Sequence, residues 1–197
     1  MTLLSVDNLT VKAGNKTLAQ HVSFSISKGE VVCIEGKNGS GKTTLLETLL
    51  NPKKNPALKW QIKLDDVLYL SQLQNLGFHI PCTLQDVMEG FSGCDTLSGR
   101  PDSNIFFTPD ELRKPWKAAS GGEKKKTLLT AVLYSPATLF ILDEPFNHID
   151  ESSLNIAIEA LSKRVSQEDK AFIIVNHNAE SNLKIKNNVK KYKEVIL

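Results

Sequence analysis

Eight consecutive residues, Gly36-Lys37-Asn38-Gly39-Ser40-Gly41-Lys42-Thr43, constrain this chain more than any other stretch. They follow the apolar run Val31-Val32-Cys33-Ile34 and lead into Thr44-Leu45-Leu46-Glu47-Thr48-Leu49-Leu50, so the pattern GxxxxGK[ST] lies where a strand gives way to a helix. Glycines let backbone N–H groups converge on phosphate oxygens, and the helix N-terminus adds positive potential. Lys42 then reaches the outer phosphates, and the Thr43 hydroxyl is placed to ligate Mg²⁺. A turn that merely joins a strand to a helix requires neither side chain.

The surrounding pattern predicts an α/β chain. Val22, Phe24 and Ile26 alternate with Ser23, Ser25 and Ser27, the period of a half-buried strand, and Ser5 to Val11 reads as its antiparallel partner. Short apolar runs at Val67 to Leu70, Leu139 to Leu142 and Phe172 to Val175 are bounded by polar residues, as for strands covered on both faces of a parallel sheet. Between the last two, Leu154, Ile158, Leu161 and Val165 recur at helical spacing. Leu73 to Ala119 contains Pro81, Pro101, Pro109 and Pro115 with little periodicity, and reads as an inserted lobe. At 197 residues the chain suits one catalytic domain.

Two further segments carry chemistry. Leu139-Phe140-Ile141-Leu142-Asp143-Glu144 is an apolar strand that ends in two carboxylates, the place where phosphate-transferring enzymes hold Mg²⁺ with one acid and polarise water with the next. Asp143 is the expected metal-side residue and Glu144 the expected base. Ser120-Gly121-Gly122-Glu123 precedes a helix carrying Leu128, Leu129, Val132 and Leu133. A serine cap and first-turn glycines expose N–H groups to a second anion, although a simple capping box has the same letters.

In their order these segments resemble the ATP-binding cassette (ABC) family over nearly the whole chain. Gly36 to Thr44 is similar to its P-loop, Tyr69-Leu70-Ser71-Gln72 to its Q-loop, Ser120 to Glu123 to its signature motif, Asn147-His148-Ile149-Asp150 to its D-loop, and His177 to its switch histidine. The resemblance implies a P-loop NTPase core of mostly parallel sheet, with an N-terminal antiparallel β subdomain and a small inserted helical lobe. Residues 1–72 and 120–197 would form the core, and 73–119 the lobe. It implies ATP and Mg²⁺ as cofactors. Glu144, His177 and Gln72 would act in catalysis, and Thr43, Gln72 and Asp143 would lie on the metal. It also implies a second ABC ATPase subunit, most simply a homodimer, because the signature motif of one subunit covers the nucleotide held by the P-loop of the other.

The chain departs from the family pattern at Ala13, which falls near the usual adenine-stacking aromatic position, and at Ala119, where the signature normally begins with leucine. The small Ala13 leaves adenine stacking and base selectivity open.

Most cassettes of this size energise transporters whose membrane-spanning permease subunits are separate chains. The expected location is therefore cytoplasmic, peripheral on the inner face of the cell membrane. Leu76, Phe78, Ile80 and Pro81 are candidates for the groove that receives the permease. The stretch Phe78 to Val87 is similar to cassettes of zinc and manganese importers. Heme or peptide export, and a soluble cassette working on ribosomes, iron–sulfur assembly or DNA, are the alternatives.

Charge is nearly balanced, 24 Lys+Arg against 22 Asp+Glu, so composition by itself argues neither for a nucleic-acid nor for an acidic partner; no nucleic-acid partner is expected. The three cysteines form no CxxC pair and fit a reducing compartment, and four scattered histidines do not suggest a transition-metal site. The start Met1-Thr2-Leu3-Leu4-Ser5-Val6-Asp7 has no basic stretch followed by an apolar run, and no eighteen consecutive residues are apolar, so a chain neither exported nor membrane-spanning is expected. The lysine-rich stretch at Lys184, Lys186, Lys190, Lys191 and Lys193 reads as a solvated face, with contact to an anionic surface as the alternative.

Overall fold

The computed structural model of the chain describes residues 1–52, 55–71, 81–92 and 105–197. Two long strands, β1 (Thr2–Ala13) and β2 (Lys16–Ser27), form an antiparallel hairpin, and the short β4 (Leu58–Trp60) pairs antiparallel on the far side of β1. The hairpin is longer than the alternating serines alone predict. Several register shifts along it let the strands twist and curve.

The second sheet holds β3 (Val31–Glu35), β5 (Val67–Leu70), β6 (Leu139–Asp143), β7 (Ala171–Val175) and β8 (Tyr192–Ile196), in the order β5-β6-β7-β3-β8. Every neighbouring pair is parallel. Such strands need connections long enough for a crossover, and helices supply several of them. These are α1 (Lys42–Leu49), α5 (Glu151–Glu168) and α6 (Ala179–Asn188), with α2 (Leu84–Ser92), α3 (Pro109–Leu112) and α4 (Gly121–Tyr134) between β5 and β6.

The central strands β6 and β7 are buried along their whole length, which is why their sequences are unbroken apolar runs rather than alternating ones. Successive residues of each strand face opposite layers. Val32, Ile34, Leu139, Ile141, Ile173 and Val175 pack with α1 and the antiparallel sheet. Val31, Cys33, Phe140, Leu142, Phe172 and Ile174 pack with α4 and α5, and the rings of Phe140 and Phe172 stack at 4.7 Å. On that second side the apolar cluster continues without a break into Leu84, Val87 and Met88 of α2, and into Phe107, Leu112, Trp116 and Ala119. Two of the described prolines of this region are built into its structure. Pro109 opens α3 behind a capping box at Thr108, and Pro115 precedes a single 3-10 turn at Trp116–Ala118.

This arrangement brings the C-terminal ends of β3, β6 and β7 together. In open parallel sheets that edge is where ligands bind. The sequence places Gly36, Asp143 and His177 at or just beyond those strand ends.

Candidate functional site

The loop after β3 reaches α1 through Gly41, whose φ of 100° is open to glycine and unfavourable for other residues. A Cβ there would also stand 2.9 Å from the Cβ of Leu18 on β2, so two separate constraints exclude a side chain. The loop closes round its own lysine. The Lys42 Nζ donates to the carbonyls of Gly36 at 2.8 Å and Lys37 at 3.0 Å, with the residue almost fully buried.

Thr43, the second residue of α1, donates its hydroxyl to Asp143 Oδ2 at 2.7 Å, across a hundred positions of sequence. Asp143 is 1% exposed and its other oxygen, Oδ1, has no protein hydrogen-bond partner among the described residues. Burial raises the Asp143 pKa above its ordinary value. The Thr43 hydrogen bond opposes that rise, Glu144 adds to it, and Lys42 and Lys125 oppose it. A hydroxyl beside a desolvated carboxylate with a spare oxygen is a donor set that fits a hard divalent cation such as Mg²⁺, whose charge would reverse the effect of burial.

Glu144 follows at a backbone φ of 50°, a left-handed conformation that costs a non-glycine residue of order 1 kcal/mol or more. Its N–H donates to Val175 O on the adjacent strand at 2.9 Å, so the sheet itself helps hold the conformation. The carboxylate is held from both sides: Oε2 accepts from Asn147 Nδ2 at 2.5 Å, and Oε1 lies 3.2 Å from His177 Nδ1. The Glu144 side chain is 10% exposed and that of His177 is 49% exposed, so the imidazole forms the outer wall.

Lys42, Thr43, Glu144, Asn147 and His177 line one cleft of about 640 Å³, while the buried Asp143 is reached through Thr43 and is not itself on the lining. Asn38, Gly39, Gly41, Lys42, Thr43 and Thr44 form its floor, Glu144, Asn147, His148 and His177 one side, and Leu18 the other. Lys37 is an exposed member of the same loop, and Gly36 and Ser40 lie at its base, where a Cβ on Gly36 would stand 2.5 Å from Ser40 Oγ. Gln72 falls outside the described residues, as do Leu76, Phe78 and Ile80. Pro81 is described, and lines a small apolar recess with Cys82, Pro115 and Trp116.

Ser120 to Glu123 do not line this cleft. Ser120 and Glu123 form a capping box: Ser120 Oγ accepts from Glu123 N at 3.2 Å, and Glu123 Oε2 accepts from Ser120 N at 2.7 Å. Lys114 Nζ donates to both Glu123 oxygens, at 2.8 and 2.9 Å. The structure shows the capping-box reading of this motif directly: the Ser120 and Glu123 side chains cap α4, and helix geometry gives the first-turn amides of Gly121 and Gly122 no partner within the helix itself.

The bond from Lys114, with help from Ser120, holds the Glu123 carboxyl down at about 2, against 4.5 unperturbed. A depressed carboxyl contributes stability that is complete above its unfolded value and lost as pH falls through the folded one. The Glu123 side chain is 31% exposed, so solvent screening limits the contribution. Glu123→Ala is expected to cost about 1 kcal/mol near neutral pH. Urea unfolding at a series of pH values should show the gap to the parent closing below pH 4.5, as the parent's own carboxyl protonates.

Leu18, Asn147 and His148 line the cleft without having been singled out as ligand contacts from the sequence. Leu18 carries no local signal, because only the pairing of β2 with β1 brings it over Gly41. Asn147 is recognisable only once Glu144 is seen to turn back toward it. Ala13 ends β1, exposed and paired with Lys16 rather than lining the cleft, so the aliphatic surface beside the loop comes from Leu18.

A family model described as ABC transporter matches residues 19–147. The ribosome protection protein VmlR of Bacillus subtilis (strain 168) is 33% identical over 180 residues, which is 89% of this chain. That match takes in only 31% of VmlR, so the chain spans under a third of that relative. A probable metal transport system ATP-binding protein of Thermotoga maritima is 30% identical over 183 residues, covering 90% of this chain and 76% of the relative. Among solved structures, a dimeric post-hydrolysis state of an ATP-binding cassette bound to ADP and Pi aligns with a TM-score of 0.69 at 16% identity, covering 98% of this chain and 94% of the other.

Proposed function

Because this chain belongs to the ABC transporter family of ATPases, we propose that it binds ATP with Mg²⁺ in the cleft above Lys42, hydrolyses it as half of a dimer, and so drives a membrane transporter. The observation that carries this reading is the convergence of Lys42, Thr43 and the Glu144–His177 pair on one cleft at the C-terminal edge of the parallel sheet, with the buried Asp143 bonded to Thr43.

Each residue has a defined part. Lys42 exchanges its bonds to the Gly36 and Lys37 carbonyls for the outer phosphate oxygens, while the loop amides and the start of α1 hold the inner ones. Thr43 and Asp143 would hold Mg²⁺, which neutralises charge on the β- and γ-phosphates when bound. Glu144 Oε1 accepts the proton of the attacking water. Asn147 fixes the other carboxylate oxygen, and His177, exposed on its outer side, contacts the γ-phosphate. The cleft is open on the face where Gly121 and Gly122 of a second subunit would add amide donors, since this chain's own Ser120 to Glu123 lie elsewhere. Gln72 is assigned to the metal and the attacking water by family position.

Residues 1–72 and 120–197 serve as the catalytic core, and 73–119 as the lobe that meets separate permease subunits at the inner face of the membrane. No helix among the described residues is long and apolar enough to cross a membrane. The Thermotoga relative supports transport, with metal ions as the cargo class, because the chain matches most of that protein's length.

VmlR supports a second reading, a cassette that acts on ribosomes. Purification of the tagged full-length protein from its native host, with and without ATP, separates the two. A co-purifying multi-span permease and ATP-dependent solute flux in vesicles support transport; ATP-dependent co-sedimentation with ribosomes, with no permease, overturns it.

A further inference from the structure

The helix that begins with the capping box, α4, sends two adjacent lysines back to the loop that carries Glu144. Lys125 Nζ donates to the main-chain carbonyl of Glu144 at 3.1 Å, and Lys126 Nζ lies 2.7 Å from Asp150 Oδ2, at the other end of the same loop. The loop therefore crosses the first turns of α4, and a Cβ on Gly122 would lie only 3.9 Å from His148 O.

Lys126 forms a partly exposed ion pair at the start of α5. Lys125 differs, because its ammonium is half-buried and its principal hydrogen bond goes to a backbone oxygen. Burial pushes its pKa down, with the Glu144 and Asp143 carboxylates acting the other way. An apolar side chain of the same length would avoid the desolvation of a charge at this position. Stability alone therefore gives little reason for a lysine there.

Its target supplies a reason. Glu144 is held at a positive φ, which persists only where the surroundings over-determine the backbone. The N–H side is fixed by Val175 O. On the carbonyl side Asn147 N donates from the neighbouring backbone at a long 3.4 Å. Lys125 supplies the strong, charge-assisted bond on that side. If the peptide after Glu144 rotates, the chain direction changes between Glu144 and Asn147, and the carboxylate loses its place between Asn147 Nδ2 and His177.

We propose that Lys125 is a positioning residue for Glu144, holding through its carbonyl the left-handed backbone that keeps the carboxylate between Asn147 and His177. The inference rests on the reading of Glu144 as the base. Lys125 touches neither nucleotide nor water in this role, and no residue of the cleft lining is replaced when it is changed.

The test compares the full-length parent with Lys125→Met, which keeps length and removes the donor, and Lys125→Arg, which keeps a donor. Thermal melts establish that all three fold. In Lys125→Met, kcat should fall about 10-fold to 100-fold, the scale of a misplaced catalytic group, with KM and the Kd for ATP within about twofold of the parent. Lys125→Arg should recover most of the loss. An unchanged kcat in Lys125→Met overturns the proposal, and so does a Kd that weakens in step with kcat, since that indicates general damage to the cleft.

If the parent binds ATP but hydrolyses none, it is the ATPase reading that falls. Amide hydrogen exchange of residues 144–148 in the ATP-bound protein then judges Lys125 by itself. Faster exchange in Lys125→Met, with Lys125→Arg like the parent, supports it. Equal exchange in all three overturns it.

Discussion

Replacing Glu144 with Gln is expected to lower the rate of ATP hydrolysis by about 10²- to 10⁴-fold, the usual contribution of a positioned general base, while ATP binding is retained. The substitution preserves shape. Gln can still meet Asn147 and His177, and the backbone bond to Val175 O is unaffected, so the left-handed conformation keeps its support on both sides. What is lost is the ability to take a proton. The variant should therefore bind nucleotide and accumulate as an ATP-bound dimer, because the step that would release it is slow. Removal of a negative charge close to the phosphates should also tighten binding modestly. Single-turnover hydrolysis together with size-exclusion chromatography in ATP measures both effects. Undiminished hydrolysis would remove Glu144 from the mechanism.

Lys42→Ala is expected to act at the preceding step. The ammonium makes two hydrogen bonds within its own loop, and in the proposed complex these become charge-assisted bonds to phosphate. Each such bond contributes about 1.5–3 kcal/mol, so the variant should lose roughly 3 kcal/mol of binding, about a hundredfold in Kd. Equilibrium titration with a fluorescent ATP analogue measures it directly. Normal ATP affinity would contradict the assignment of the loop. Because Lys42 also ties the two ends of the loop together, a thermal melt of the variant is needed to separate lost contacts from lost loop order. The two substitutions should differ cleanly: Glu144→Gln binds ATP and turns over slowly, whereas Lys42→Ala is impaired first in binding.

Most of the sheet and much of the site were legible in the residues. β6 and β7 lie inside the sheet with both faces covered, so they must be apolar throughout, and an unbroken apolar run is easy to recognise. The start of α1 and the strand-end acids are local in sequence, and their residue types are those that the phosphate and cation chemistry proposed for them requires. The hairpin was only partly visible. β1 and β2 extend several residues beyond the alternating stretch because cross-strand pairing, rather than composition, sustains their ends. The lobe was legible only as a region rich in proline, yet α2 and α4 pack into one apolar cluster with the central sheet.

The sequence by itself determined the loop at Gly36 to Thr43, the acids Asp143 and Glu144, His177 and the order of the motifs, since each depends on residues adjacent in the chain or on a single strand end. Tertiary structure decided what these groups do to one another. It brought Thr43 to Asp143 across a hundred residues and His177 to Glu144 across 33, set Leu18 over the loop in place of Ala13, turned Asn147 onto the Glu144 carboxylate and ran Lys125 beneath the Glu144 carbonyl. These contacts join separate strands and helices. Their partners are chosen by sheet order and backbone direction, which no local pattern of residues encodes.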